Sequence, residues 1–123
     1  MFNIERADHI HICVVPERLY EAKQFYMEVI GLELIDRPDK LFSSEGYWFN
    51  IGDIQLHIGV EASTIKTIRH TAFAVNNIGA ARKQLNNYAV EIIEEPHIPG
   101  RKRFAFIDPF GNRMELLQLI NED

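Results

Sequence analysis

The sequence predicts an α+β chain built from two βαβββ modules, over about residues 6–60 and 68–120. Two observations predict it. The succession strand, helix, then three strands occurs twice, with hairpin turns at corresponding points. Superposing the halves also places His9 on His70 and His57 on Glu115, so the most metal-competent side chains fall at two equivalent points of each half.

In the first module, Ala7–Val15 alternates with a period of two. Ile10, Ile12 and Val14 therefore share one strand face, and His9, His11 and Cys13 share the other. Pro16 suits a first helical turn. Leu19, Ala22, Phe25, Tyr26, Val29 and Ile30 then recur at helical spacing, and Gly31 supplies a stop. Leu32–Arg37 reads as extended, and Tyr47–Ile51 and Ile54–Gly59 form a hairpin about Gly52-Asp53.

A polar linker over 61–67 separates the halves. Arg69–Val75 is strand-like. Ile78, Ala81 and Leu85 mark an amphipathic helix behind Asn76-Asn77, a suitable N-cap. Val90–Glu94 is extended, 97–100 is a loop, and a last hairpin joins Arg103–Ile107 to Arg113–Gln118. Its turn, Asp108-Pro109-Phe110-Gly111-Asn112, combines a fixed φ at Pro109 with a glycine that accepts positive φ. On the strand that follows, Glu115 lies between Met114 and Leu116. A free carboxylate there is costly to bury, so it faces solvent, is paired, or binds a metal.

The net charge of −5 gives no basic face for nucleic acid. No apolar run approaches the ~20 residues of a membrane span, and the N-terminus lacks a signal-peptide core. The single cysteine, Cys13, fits a reducing compartment, so the expected location is cytoplasmic.

Four stretches carry a resemblance to a known family: Asp8-His9-Ile10, the run from Phe25 to Leu34, Arg69–Val75, and Asp108–Glu115. With them the sequence resembles the vicinal oxygen chelate superfamily, which includes glyoxalase I, fosfomycin-resistance enzymes, methylmalonyl-CoA epimerase and extradiol dioxygenases. The resemblance implies a glyoxalase-like fold, with paired modules forming a cupped mixed sheet around a divalent metal. It implies His9, His70 and Glu115 as ligands, and a homodimer in which each site often draws on both chains. Zn, Ni, Mn and Fe are not distinguished by such a donor set.

His57 departs from the glyoxalase I pattern, where a glutamate acts as ligand and base; here the stretch reads Gln55-Leu56-His57. Two roles are expected for it beside Glu115: a fourth ligand, or a base with a pKa near neutrality. Around the metal, Arg103 either holds an anionic substrate group or is a solvated hairpin charge. His11 is a proton donor near the metal or a core histidine. Gln55 shares the His57 face, and Trp48 walls the pocket or belongs to the core.

The expected function is a metal-dependent lyase, isomerase or transferase that chelates two oxygens of a small substrate. The alternatives are an Fe(II) extradiol-type dioxygenase and a metal-free drug-binding module of the bleomycin-resistance kind.

Overall fold

The computed structural model describes residues 1–63 and 67–121, so the linker expected over 61–67 lies partly outside the described residues. The chain divides into two compact units, Met1–Thr64 and Ile65–Asp123. Each carries one four-stranded mixed sheet and one α-helix, the α+β architecture read from the sequence. No helix among the described residues is long and apolar enough to cross a membrane.

The first unit comprises β1 (His9–Val14), α1 (Leu19–Gln24), β2 (Glu33–Ile35), β3 (Tyr47–Ile51) and β4 (Ile54–Val60), in sheet order β1-β4-β3-β2. β1 runs parallel to β4, and the other pairings are antiparallel. Because side chains alternate, the register sorts the two faces. Ile12, Val14, Phe49, Leu56 and Ile58 are buried with Leu19, Ala22, Phe25 and Tyr26 of the helical segment. Each such fully buried large side chain contributes about 2 kcal/mol. The opposite face carries His9, His11, Trp48, Gln55 and His57.

The helix expected as one piece is built in three. A single 3₁₀ turn, Pro16–Arg18, precedes α1, and a π turn, Phe25–Val29, follows it. The wider turn lets the consecutive rings of Phe25 and Tyr26 both reach the core, edge to face at 5.1 Å. Gly31, at φ 83°, ends it, and Leu32 N–H returns to the Tyr26 carbonyl at 2.9 Å.

The second unit comprises β5 (Thr71–Ala74), α2 (Ile78–Asn87), β6 (Glu91–Glu94), β7 (Arg101–Ile107) and β8 (Arg113–Leu119), in order β5-β8-β7-β6. Asn77 caps α2 by accepting from Ala80 N–H at 2.9 Å. Phe104, Phe106, Met114 and Leu116 are buried with Leu85 of α2. Glu115 and Ala105 pair on the other face. β5 begins at Thr71, later than expected, so His70 precedes the strand. The cause is local: Arg69 N–H turns back onto Thr67 Oγ1 at 3.1 Å.

The turn before β8 is held by Asp108, which is 2% exposed. Its carboxylate accepts from Phe110 N–H at 2.9 Å, Asn112 N–H at 2.8 Å and Asn112 Nδ2 at 3.0 Å. Gly111 takes φ 97°, as its place in the turn requires.

Candidate metal centre and binding cavity

The strand registers give the repeat a structural meaning. His57 pairs with His11 across β4 and β1, and Glu115 pairs with Ala72 across β8 and β5. His9 and His70 each stand two residues before those partners. The four positions are thus equivalent within their own units.

Both histidines are also set in the same tautomer. His9 Nδ1 donates to Asp8 Oδ1 at 3.0 Å, and His70 Nδ1 donates to the Ile68 carbonyl at 2.9 Å. Carboxylate and carbonyl oxygens only accept, so each Nδ1 carries the proton and each Nε2 keeps its lone pair. The hydrogen bond from His9 is the main reason the Asp8 carboxyl titrates below its usual range.

His57 is sandwiched. Its ring lies 4.2 Å from His9, tilted by 17°, and 4.1 Å from the Trp48 indole, tilted by 3°. The spacing follows from the strands, which run just under 5 Å apart and carry the rings side by side. Its Nε2 donates to Gln55 Oε1 at 2.8 Å, leaving Nδ1 with the lone pair. At 8% exposure, burial pushes its pKa down to about 4, and the neighbouring His9 and His11 push the same way. The near-neutral pKa expected of a His57 base is therefore not found. His11 is lowered as well, again chiefly by burial.

These rings line a cavity of about 660 Å³ in the first unit, together with Asp8, Gln55, Arg37 and Phe42. Arg37 and Phe42 were missed at the sequence level. Arg37 bonds to Asp39 and to the Ser44 carbonyl, and its guanidinium lies 4.6 Å from the Phe42 ring centre. Gly46 admits it, since a Cβ there would approach Arg37 Nε to 3.3 Å and the Ile58 carbonyl to 2.4 Å.

In the second unit Glu115, 6% exposed, is paired. Arg103 Nη1 donates to Glu115 Oε1 at 2.7 Å and to Glu95 Oε2 at 2.9 Å, and Nη2 donates to the Pro96 carbonyl at 3.0 Å. Arg103 is thus not the solvated hairpin charge: its two terminal nitrogens are engaged by two carboxylates and a carbonyl. Burial would raise Glu115, but hydrogen bonds from Arg103 and Glu95 outweigh it and hold the carboxyl below its usual range. Glu95 is raised, by burial and then by its bond to Glu115, so it takes up a proton first. Glu95 was also missed. Extending the β6–β7 register by one pair places it opposite Arg103, which the sequence could have shown.

Among the described residues, no group of three or more His, Cys, Asp or Glu side chains is arranged to hold a metal ion. The donor chemistry nevertheless fits one at the level of single residues: two imidazoles with free Nε2 lone pairs and one ionised carboxylate.

A family model for the Glyoxalase/Bleomycin resistance protein/Dioxygenase superfamily matches residues 8–116, and the chain belongs to that superfamily. Among solved structures it is similar to a putative glyoxalase family protein from Bacillus anthracis, at 35% identity and a TM-score of 0.88 over 98% of this chain and 99% of that one. It shares its fold with the fosfomycin resistance protein FosX from Listeria monocytogenes. One such structure, a point mutant complexed with Mn(II) and 1S,2S-dihydroxypropylphosphonic acid, aligns at 23% identity and a TM-score of 0.80, covering 96% of this chain and 95% of that one. Comparison with curated proteins gives no significant match.

Proposed function

We propose that the chain is a divalent-metal-dependent enzyme of the lyase, isomerase or transferase type, acting on a small substrate through two of its oxygens. His9, His70 and Glu115 are the proposed ligands. The observation that carries this reading is the matched state of the two histidines. Each donates Nδ1–H to a fixed acceptor, the arrangement that orients a metal-binding imidazole and raises its basicity. Glu115 contributes a carboxylate kept ionised by Arg103. A bound divalent ion would supply Lewis-acid polarisation of substrate oxygens. His57 is neutral at pH 7 and offers only Nδ1, either as a further ligand or as an acceptor of a substrate hydrogen bond. The Mn(II) complex of the FosX mutant supports a divalent ion as a guest of this fold.

The assembly we propose is a homodimer, because each unit's sheet ends in strands paired on one side only, β1 and β2 in one and β5 and β6 in the other.

One observation favours a second reading, a metal-free binding module: Glu115 Oε1 is already engaged by Arg103. Metal analysis of protein purified without chelator separates the two. The enzyme reading expects about one divalent ion per chain, lost in Glu115→Ala, and the binding-module reading expects none. Oxygen uptake with catechols by protein loaded with Fe(II) would point instead to a dioxygenase.

A further inference from the structure

The cavity of the first unit has an unusual floor. His57 is covered on both faces, by His9 and by Trp48, so it meets the cavity only by its ring edge. Trp48 stands parallel to it on the next strand. Phe42 rises beside them, 6.1 Å from Trp48 and inclined at 61°, with 44% of its surface exposed. The C–H and N–H edges of such rings carry partial positive charge and their faces partial negative charge. A row of these edges therefore favours a π face laid across it, with the His57 Nδ1 lone pair left to accept a hydrogen bond.

The charges around this floor are as informative. Asp8 and Glu45 line the cavity, and Arg37, the only arginine in its lining among the described residues, is engaged by Asp39, Ser44 and the face of Phe42. A phosphonate or carboxylate seated here would lose its hydration and meet, among the described residues of the lining, no uncommitted guanidinium or ammonium.

We infer that this cavity receives a flat, unsaturated substrate group without negative charge, laid on the ring edges of His57 and Trp48 and against Phe42. Arg37 is a positioning residue that holds Phe42 and the loop from Asp39 to Ser44 in place. This deepens the function proposed above by naming the substrate class, and it takes from that reading only that the cavity seats the substrate.

Trp48 is the chain's only tryptophan, so its fluorescence reports this cavity without labelling. Benzyl alcohol and methylphosphonate are titrated separately into the full chain, once with a chelator and once with Mn(II) added. Benzyl alcohol is expected to change the Trp48 emission saturably under both conditions, and methylphosphonate to produce no saturable change in chelator. Phe42→Ala, at an exposed position that leaves the core intact, should weaken benzyl alcohol at least tenfold. Arg37→Met should weaken it less, with Arg37→Lys recovering part of the loss.

The inference is overturned if methylphosphonate saturates at a lower concentration than benzyl alcohol in chelator. It is equally overturned if Phe42→Ala leaves benzyl alcohol binding unchanged, or if benzyl alcohol gives no saturable response. A failure of the metal reading shows differently: benzyl alcohol still saturates with chelator, and Mn(II) binding is absent by calorimetry.

Discussion

The imidazole of His57 and the indole of Trp48 lie face to face, 4.1 Å apart and 3° from parallel. With His9 on the far face, both faces of the His57 ring are shielded from water, burial disfavours its charged form, and its pKa falls to about 4. In the unfolded chain it titrates near the ordinary histidine value of about 6.5. Between those values the unfolded state binds the extra proton. Stability therefore falls as pH drops from about 6.5 to about 4, and this contribution changes no further below that. The loss is on the order of 2 kcal/mol, after discounting the full shift for partial solvent access. Urea unfolding of chelator-stripped protein across that range, compared with His57→Phe, should show the slope in the native chain and its absence in the variant. An NMR titration placing His57 near 6.5 would contradict this.

Asp108 is a second point of leverage on stability. It is buried and accepts from two backbone amides and one side-chain amide in the turn before β8. Asp108→Ala strands those donors, and a loss of about 2–4 kcal/mol is expected in urea unfolding. Asp108→Asn should recover part of it. A loss below about 0.5 kcal/mol, the range of ordinary surface substitutions, would show that the turn does not depend on this carboxylate.

Gly59 makes room for a ring. A Cβ there would come within 2.5 Å of His11 Nε2, the far end of a side chain that can swing away. Gly59→Ala is expected to cost little, about 1 kcal/mol, while displacing His11. The readout is the His11 imidazole resonances, which should move while those of Phe104 and Phe106 in the other unit stay unchanged. Unmoved His11 signals in a folded variant would show that the ring does not rest on Gly59.

Arg103 separates Glu95 from Glu115 electrostatically, bonding both from one nitrogen. In Arg103→Met the two carboxyls are left buried beside each other without the cation that bridges them, Arg113 reaching only Glu95, at 3.9 Å. Their folded pKa values then rise above the unfolded ones, so the folded state holds the extra proton and stability is lost as pH increases. The variant should melt well below the native chain at pH 7 and closer to it at pH 4. Equal melting differences at both pH values would show that the cation is not what reconciles the two acids.

Much of the fold is legible from alternation alone. The parity of Ile10, Ile12 and Val14 against His9 and His11 assigns the faces of β1 correctly, and the same rule places Glu115 opposite Met114 and Leu116 on β8. Helical spacing finds α2, and Asn77 marks its start. The π turn at Phe25 was hidden, because adjacent aromatics fit a regular helix poorly and only the packed core decides how both are buried. The short β5 was hidden by a side-chain bond from Thr67 that competes with the ladder.

For the candidate site, strand parity yields the positions of His57, Gln55 and Trp48 but not what they touch. Local sequence shows neither the stacking of three rings nor the commitment of Arg103 to two acids. Arg37 was invisible for another reason: it acts from a loop, and loops carry no periodicity from which to read a direction.

The account rests on His9 and His70 being held alike with Nε2 open. The most direct test is a Zn(II) titration of chelator-stripped protein, followed by the nitrogen resonances of both imidazoles. The account expects His9 and His70 to respond together, each at Nε2 with Nδ1 still protonated, complete at one ion per chain and abolished in Glu115→Ala. If only one of the two responds, if neither does, or if Glu115→Ala leaves the titration unchanged, the proposed ligand set is wrong.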